Sequence, residues 1–232
     1  MSLAAAVTLA FALAGAVPTA SAGGELPEGL PEGWYAILDT DAGAIVARLL
    51  PEQAPQSVAH LAAFAEGRLT WTDAFTGESV RRPYYDGLAI HRVVAGERFE
   101  AGDPTGTGRG APPVWVPQEG DGSVNFSKAY RVGLTRTGQG RVNGAIFFVT
   151  AIPAPWLNRR HPCIGEIVAG REVVDRICAR KTDDGGRPLD KVTIRKVTVR
   201  AVGAPRPLPD PVPYDPPTPE LQMRKPSEPV AR

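Results

Sequence analysis

The sequence predicts a mainly β domain with two helices, and three features lead to this fold class. Short segments with alternating or continuous apolar residues recur along the chain and are separated by turn residues. The 25 Gly and 24 Pro fit a turn-rich β protein. Apolar residues at helical spacing are confined to two stretches, near residues 55–66 and 170–180. The 232 residues therefore fit one domain with flanking segments.

The first elements are a hairpin and a helix. Residues 34–39 and 44–49 read as strands joined by a turn that ends at Gly43. Pro55 suits a first helical turn and Gly67 a helix end. Four apolar residues between them define one buried face, namely Val58, Leu61, Ala62 and Ala65. His60 lies off this face, so we expect it to face solvent rather than to act as a ligand.

The chain begins with a pattern typical of export. Residues 3–17 are almost wholly apolar, and Ala20-Ser21-Ala22 matches a signal-peptidase site. The run is too short for a membrane span. We therefore expect a signal peptide over residues 1–22, a linker over 23–32, and a periplasmic or other extracytoplasmic location. The alternative is a start codon placed upstream of the mature protein, because no Lys or Arg precedes Arg48.

The charge and the cysteines exclude several classes of function. A formal net charge of +1 gives no electrostatic reason to expect nucleic acid or an anionic membrane as a partner. The three His and two Cys are widely spread, so neither a metal nor a cofactor is expected. Cys163 and Cys178 are interpreted as buried free thiols, with a disulfide as the alternative in an oxidising compartment.

The stretch YYDGLAIHRVVAGERFEAGDPTGTGRG, residues 84–110, holds the first candidate functional residue. Asp86-Gly87 is a turn signal, and residues 88–94 then read as a strand in which His91 or Arg92 must point inward. An inward charge is costly unless it is paired or belongs to a site, which makes Arg92 the candidate. Residues 106–110 form a Gly-rich loop, but the prolines that follow cannot open a phosphate-binding helix, so a surface loop is predicted.

The remaining chain supplies the rest of the barrel and a tail. Residues 67–83 are predicted to form a long polar loop, and residues 136–144 a Gly-rich one. The further predicted strands cover residues 129–134, 146–149, 163–167 and 192–200. The folded domain is assigned to residues 33–202. Residues 203–232 are rich in Pro and poor in large apolar residues, so a disordered tail is expected.

Several motifs resemble one family. IHRVVAGERFEAGD is similar to the FHRV-x-x-G-F-M-x-Q-G-G-D signature of the cyclophilin family of peptidyl-prolyl cis-trans isomerases. NGAIFFV (143–149), WLNRRH (156–161) and IGEIVAGREVVDRI (164–177) recur in the family's order. The resemblance implies an eight-stranded antiparallel β-barrel closed by two α-helices. We expect a monomer that binds proline-containing peptides and unfolded exported proteins.

The resemblance also implies the site. Arg92 matches the catalytic residue, Phe148 the floor of the proline slot and Leu157 its wall. Trp156 and His161 match rim positions, and Asn143 lies in the loop beside them. In isolation, Phe148 and Leu157 would be interpreted as core packing; their occurrence with Arg92 in the family's order favours a functional role.

The chain departs from the family pattern at the slot. Glu97-Arg98 replaces Phe-Met, Glu100 replaces a Gln that orients the arginine, and Ile146 replaces a second Gln. Phe99 could refill the missing wall only if the strand register shifts. Glu100 can hold Arg92 through a charge-assisted bond, but it partly neutralises the guanidinium.

Two functions remain open at this point. The first is a peptidyl-prolyl isomerase for exported proteins, slow or selective because of Glu97, Glu100 and Ile146. The second is a catalytically weak module that binds proline peptides as a chaperone. A purely structural envelope protein would leave the Arg92 strand unexplained.

Overall fold

The computed structural model describes residues 25–137 and 140–214, and its main feature is an antiparallel sheet. The strands and helices are, in chain order, β1 (Gly33–Thr40), β2 (Gly43–Leu49), α1 (Pro55–Ala65), β3 (Trp71–Thr72), β4 (Ser79–Val80), β5 (Arg92–Val94), β6 (Arg98–Ala101), β7 (Trp115–Val116), β8 (Arg131–Arg136), β9 (Val142–Thr150), β10 (Cys163–Ala169), α2 (Arg171–Cys178) and β11 (Ile194–Val202). A single 3-10 turn, Pro155–Leu157, lies between β9 and β10.

The sheet is curled into a barrel. Its strands follow the order β11-β1-β2-β10-β8-β9-β6-β5, and β7 pairs with β9. The two ends of this order meet where Ala89 bridges Thr193 and where the Ile194 N–H donates to the Leu88 carbonyl. Apolar side chains of the strands and of both helices fill the interior. The predicted eight-stranded antiparallel barrel with two helices is confirmed.

The predicted hairpin is present, whereas two other elements differ in extent. Strand β1 pairs with β2 from Tyr35–Arg48 to Thr40–Gly43, as the alternation predicts. The strand predicted over residues 88–94 pairs regularly only as β5, because the residues before it turn toward residues 192–194 and join the barrel ends. The predicted loop 136–144 is shorter than expected because β9 already begins at Val142.

Helix α1 is buried on nearly all sides, and the expectation that His60 faces solvent is wrong. Residues 57–65 are all buried, and His60 is only 2% exposed. The helix contacts β7 as well as β9 and β11, and the His60 Nδ1 lies 2.8 Å from the Gln56 carbonyl. The apolar spacing identified one buried face but could not show that β7, which is distant in the sequence, also packs against the helix.

A distant carboxylate caps the same helix. The Glu119 oxygens accept hydrogen bonds from the backbone N–H groups of Gln56 and Ser57, at 2.9 and 2.7 Å. These N–H groups have no partner within the helix, and the helix dipole favours a negative charge there. The cap therefore fixes the loop around Glu119 against α1.

Two predicted loops have internal structure. In residues 67–83, β3 and β4 form a short hairpin, and Asp73 holds its turn by accepting from the Phe75 N–H at 2.9 Å. The Gly-rich loop wraps around Asp103, which is 1% exposed and accepts from the Thr105 and Arg109 N–H groups. No helix is assigned to residues 111–114, and residues 107–109 are exposed, as expected for a surface loop.

The described part of the Pro-rich segment lies against the barrel. The Trp34 Nε1–H donates to the Arg206 carbonyl at 2.9 Å, and the Val212 N–H donates to the Gln56 side-chain oxygen at 2.8 Å. Leu208 packs against the core. Residues 203–214 thus differ from the expected disorder, because one leucine and four side-chain hydrogen bonds attach them. Residues 215–232, and the expected signal peptide over residues 1–22, lie outside the described residues.

Both cysteines are free and buried, as expected. Burial raises the pKa of Cys163 to about 11 and that of Cys178 to about 12, so both thiols are protonated at neutral pH. Within residues 25–137 and 140–214, we find no helix with the length and hydrophobicity needed to cross a membrane.

Candidate functional site

Four neighbouring strands carry one row of residues on the outer face of the barrel. Arg92 of β5 pairs with Glu100 of β6, Glu100 pairs with Phe148 of β9, and Phe148 pairs with Gly133 of β8. Directly opposite residues in a sheet project to the same face. The register therefore places a guanidinium, a carboxylate and an aromatic ring side by side.

Glu100 is shared between two arginines. Its Oε1 accepts from the Arg92 Nη1 at 2.9 Å and from the Arg98 Nε at 3.1 Å, and Arg98 also pairs with Glu97. The Arg92 side chain is 46% exposed, whereas that of Glu100 is only 10% exposed. The predicted pairing of Arg92 with Glu100 is present, and nearly half of the Arg92 side-chain surface remains exposed.

Phe148 is the centre of a small apolar cluster. Its ring centroid lies 5.3 Å from Phe126 and 5.2 Å from His161, the latter edge to face. Ala154, Leu157 and Cys163 complete the cluster. Phe148 is 2% exposed and Leu157 7%, so the predicted floor and wall of the slot are together but covered.

Gly133 makes room for this cluster. A Cβ atom at this position would lie 2.5 Å from the Phe148 Cζ and 2.7 Å from the Phe126 Cζ. A glycine inside a strand is a known sign of such close approach, which is the signal that could have identified this residue from the sequence.

The rim residues follow from the turn before β10. The 3-10 turn buries Leu157 and leaves Trp156 50% exposed. The next turn brings the His161 Nδ1 within 3.0 Å of the Arg136 N–H, which donates to it. Burial lowers the pKa of His161, and the positive charges of Arg98 and Arg136 act in the same direction. His161 is therefore a neutral ring at physiological pH.

Three other predicted site residues do not present a side chain to a ligand in this structure. Asn143 is 3% exposed; its amide donates to the Pro112 carbonyl at 2.9 Å and accepts from the Ala145 and Ile146 N–H groups. Ile146 is 4% exposed. Phe99 lies in the barrel core on the opposite face from Glu100, because the β6–β9 register is regular, so it does not refill the slot.

A cavity of about 380 Å³ adjoins the cluster. The loop over residues 118–126 forms one wall, and residues 158–163 form the other. Phe126, His161 and Cys163 line its inner end. The cavity and Arg98 were not identified from the sequence as parts of the site. Among the described residues, no cluster of His, Cys, Asp or Glu could hold a metal ion.

We expect the fold to lose stability on mild acidification, because all three histidines have a lowered pKa. Burial is the main cause at His60, His91 and His161. The unfolded chain then binds more protons than the folded one below about pH 6.5, so stability falls as the pH drops through that value. The measurement is the melting temperature between about pH 7.5 and pH 5.

A His91→Gln variant supplies the control for this pH dependence. His91 is 5% exposed, and its Nδ1 has no hydrogen-bond partner among the described residues. The melting temperature of the variant should therefore fall less on acidification than that of the wild type. Carboxylates with a lowered pKa, such as Asp103, lose their contribution only below about pH 4, outside this window. A flat melting temperature above pH 5 would contradict the prediction.

Comparisons with known proteins agree on one family. The family model described as cyclophilin type peptidyl-prolyl cis-trans isomerase/CLD matches residues 35–199. Peptidyl-prolyl cis-trans isomerase B of Streptomyces anulatus is 38% identical over 173 residues, which cover 73% of this chain and 98% of that protein. Peptidyl-prolyl cis-trans isomerase A of Mycobacterium tuberculosis is 36% identical over 166 residues, covering 71% of this chain and 91% of that protein.

The solved structures give the same fold. A cyclophilin type isomerase of Cryptosporidium parvum, crystallised in the presence of the dipeptide Ala-Pro, superposes with a TM-score of 0.62 at 20% identity. The superposition covers 72% of this chain and 99% of that one.

Proposed function

Because the chain belongs to the cyclophilin-type peptidyl-prolyl cis-trans isomerase family, we propose that it catalyses rotation about the peptide bond before proline. The observation that carries the proposal is the row formed by Arg92, Glu100 and Phe148 on one face of the barrel. It combines a half-exposed guanidinium with an apolar ring, which are the two groups that the reaction needs.

The chemistry follows from the electronic structure of the amide. Resonance gives the peptide bond a rotational barrier of about 18–20 kcal/mol, and twisting it returns a lone pair to the prolyl nitrogen. A positive donor aimed at this nitrogen stabilises the twisted state more than the planar one. Arg92 suits this role because a guanidinium stays charged and is rigid. No nucleophile, metal or proton transfer is required.

The apolar cluster supplies the binding energy for the prolyl ring. Phe148 is covered in this structure, so the ring can reach it only if a neighbouring side chain moves. Arg98 is the long side chain beside Glu100 on the same face, and its side chain is 16% exposed. We expect Arg98 to swing away when a peptide binds, which gives up its contacts with Glu97 and Glu100.

A second candidate function has its own support. The covered Phe148 and the paired Arg92 also suit a module that binds proline peptides with little catalysis, acting as a chaperone. The two candidate functions differ in whether the protein raises the rate of cis–trans exchange in the peptide that it binds. A protease-coupled assay on a short Ala-Pro peptide separates them: catalysis requires a rate that increases with enzyme concentration, while a pure binder leaves the rate unchanged.

Glu100→Gln is expected to raise the isomerisation rate several-fold. The amide oxygen can still accept from Arg92 and Arg98, so the arginines keep their orientation, while the negative charge that weakens their field is removed. A single preorganised donor stabilises a transition state by about 3 kcal/mol. Even a partial increase of the positive field at the prolyl nitrogen should therefore change the rate measurably. The measurement is kcat/KM on one short proline peptide, with Glu97→Gln as the control because Glu97 pairs with Arg98 and not with Arg92. An unchanged or lower rate in a folded Glu100→Gln protein would rule out the carboxylate as a brake.

We also propose that the protein acts outside the cytoplasm on exported proteins. The support is the apolar run over residues 3–17 followed by Ala20-Ser21-Ala22. N-terminal sequencing of protein made in its native host should find a chain that begins at Gly23. A chain that retains Met1 in the cytosol would contradict this location without affecting the proposed activity.

A further inference from the structure

Three arginines at the rim of the Phe148 cluster lack an ionic partner. Arg136 ends β8, and Arg159 and Arg160 follow the 3-10 turn directly before His161. All three are exposed. None of them forms a salt bridge with any carboxylate in the part of the chain that the structure describes.

Hydrogen bonds hold Arg136 beside the floor of the site. Its backbone N–H donates to the His161 Nδ1 at 3.0 Å, and the His161 ring meets the Phe148 ring at 5.2 Å. Its side-chain Nε donates to the Gly140 carbonyl at 2.8 Å, which restrains the guanidinium. Arg136 is thus a positioned charge at one side of the aromatic floor.

Arg159 and Arg160 bring positive charge to another side. Arg159 lines the adjoining cavity together with Phe126 and His161. Its backbone has φ of 60°, and the Arg160 N–H donates to the Leu157 carbonyl at 3.1 Å. The turn that buries Leu157 therefore places Arg159 at the cavity and the exposed Arg160 next to it in the chain, directly before His161.

The carboxylates near the cluster are already engaged. Glu100 pairs with Arg92 and Arg98, and Glu97 pairs with Arg98. Across the cavity, both Glu119 oxygens accept from the N-terminus of α1. Asp121 is exposed and accepts from the Ser123 N–H, so among the described residues that line the cavity it is the one carboxylate left to offset these arginines.

We propose that the site prefers peptides with Asp or Glu beside the proline, and that Arg136, Arg159 and Arg160 determine this preference. The inference rests on the proposed isomerase function and names its substrate class. Guanidinium groups bind carboxylates through two parallel hydrogen bonds, and several exposed cations add their fields.

The test compares matched peptides that differ only in charge. Glu and Gln are placed directly before the proline in one pair, and directly after it in a second pair. An exposed ion pair contributes a fraction of a kcal/mol to about 1 kcal/mol, so at low salt we expect kcat/KM to favour Glu by about two- to fivefold in at least one pair. High salt should reduce the ratio because it screens exposed charges.

Variants assign the preference to residues. Arg136→Gln and the double variant Arg159→Gln/Arg160→Gln should each lower the Glu/Gln ratio, mainly by raising KM for the Glu peptides. Arg136→Lys should retain much of the ratio, since it keeps the charge and the backbone bond to His161. Arg81→Gln is the control. Arg81 is exposed, makes no salt bridge among the described residues and directly follows β4 of the short β3–β4 hairpin.

The outcomes separate this inference from the proposed function. Equal kcat/KM for Glu and Gln peptides in an active enzyme would overturn the preference and leave the isomerase standing. If no peptide is isomerised, the proposed function fails, and titration calorimetry with the same peptides decides the preference. If the Glu peptides bind more tightly than the Gln peptides and Arg136→Gln abolishes this difference, the preference is supported. Equal affinities of the two peptides would contradict it.

Discussion

Alanine in place of Arg92 is expected to lower kcat/KM for a short proline peptide by about a hundredfold or more. Arg92 is the half-exposed guanidinium of the row, and it is placed by its pairing with Glu100 across β5 and β6. Its loss removes the donor that stabilises the twisted amide, while Phe148 and Leu157 still bind the prolyl ring. The decrease should therefore appear in kcat more than in KM.

The structure explains why this variant should fold. Glu100 keeps the Arg98 Nε as a partner at 3.1 Å, so removing Arg92 does not leave a buried carboxylate alone. Arg195→Ala is the matched control, because Arg195 is similarly exposed at 52% and forms an ion pair with Asp39 at 2.8 Å. Arg92→Lys tests the guanidinium itself, since it keeps the charge but not the planar geometry. Activity of Arg92→Ala within threefold of the wild type would remove Arg92 from the mechanism.

The parts of the fold that local pattern determines could be predicted. The hairpin β1–β2 has a clear alternation and a turn with Gly43, and α2 has its apolar residues at helical spacing. His60 shows the limit of this reasoning. The helix is contacted by β7 and capped by Glu119, which lies about sixty residues later in the chain, and no periodicity within α1 contains that information.

The same distinction holds for the site. The pairing of Arg92 with Glu100 could be predicted from the resemblance to the family, and the structure shows that a short turn at Gly96 joins β5 and β6 in this register. The sharing of Glu100 with Arg98 could not, since it depends on side-chain conformations. The cavity and the cover over Phe148 depend on how segments distant in sequence pack together. These features decide whether a prolyl ring can reach Phe148. The sequence therefore indicated the catalytic chemistry of the site better than it indicated which substrates can enter.

A single added methyl group at Gly102 is expected to destabilise the fold by about 3–5 kcal/mol, combining backbone strain with overpacking. Gly102 has φ of 102°, and a Cβ there would lie 2.1 Å from the Ala145 carbonyl oxygen. That oxygen cannot easily move, because the Tyr85 hydroxyl donates to it at 3.1 Å, while the Tyr84 hydroxyl donates to the Gly102 carbonyl at 2.8 Å. The backbones of the segments that follow β6 and precede Phe148 are therefore locked together.

Gly96→Ala is the matched control for Gly102→Ala. Gly96 also has a positive φ, 68°, but nothing lies within 4 Å of an added Cβ, so only the left-handed backbone penalty of about 1–2 kcal/mol applies. In a domain of this size, 1 kcal/mol shifts the melting temperature by about 2–4 °C, so Gly102→Ala should melt roughly 10 °C lower than the wild type and Gly96→Ala only a few degrees lower. Because Gly102 follows Glu100 by two residues, any folded Gly102→Ala protein should also lose activity as β6 shifts away from Phe148. Equal melting temperatures for the two variants would show that the approach of these two segments is loose, and the row formed by Arg92, Glu100 and Phe148 would then lack the rigid support that catalysis by a positioned guanidinium requires.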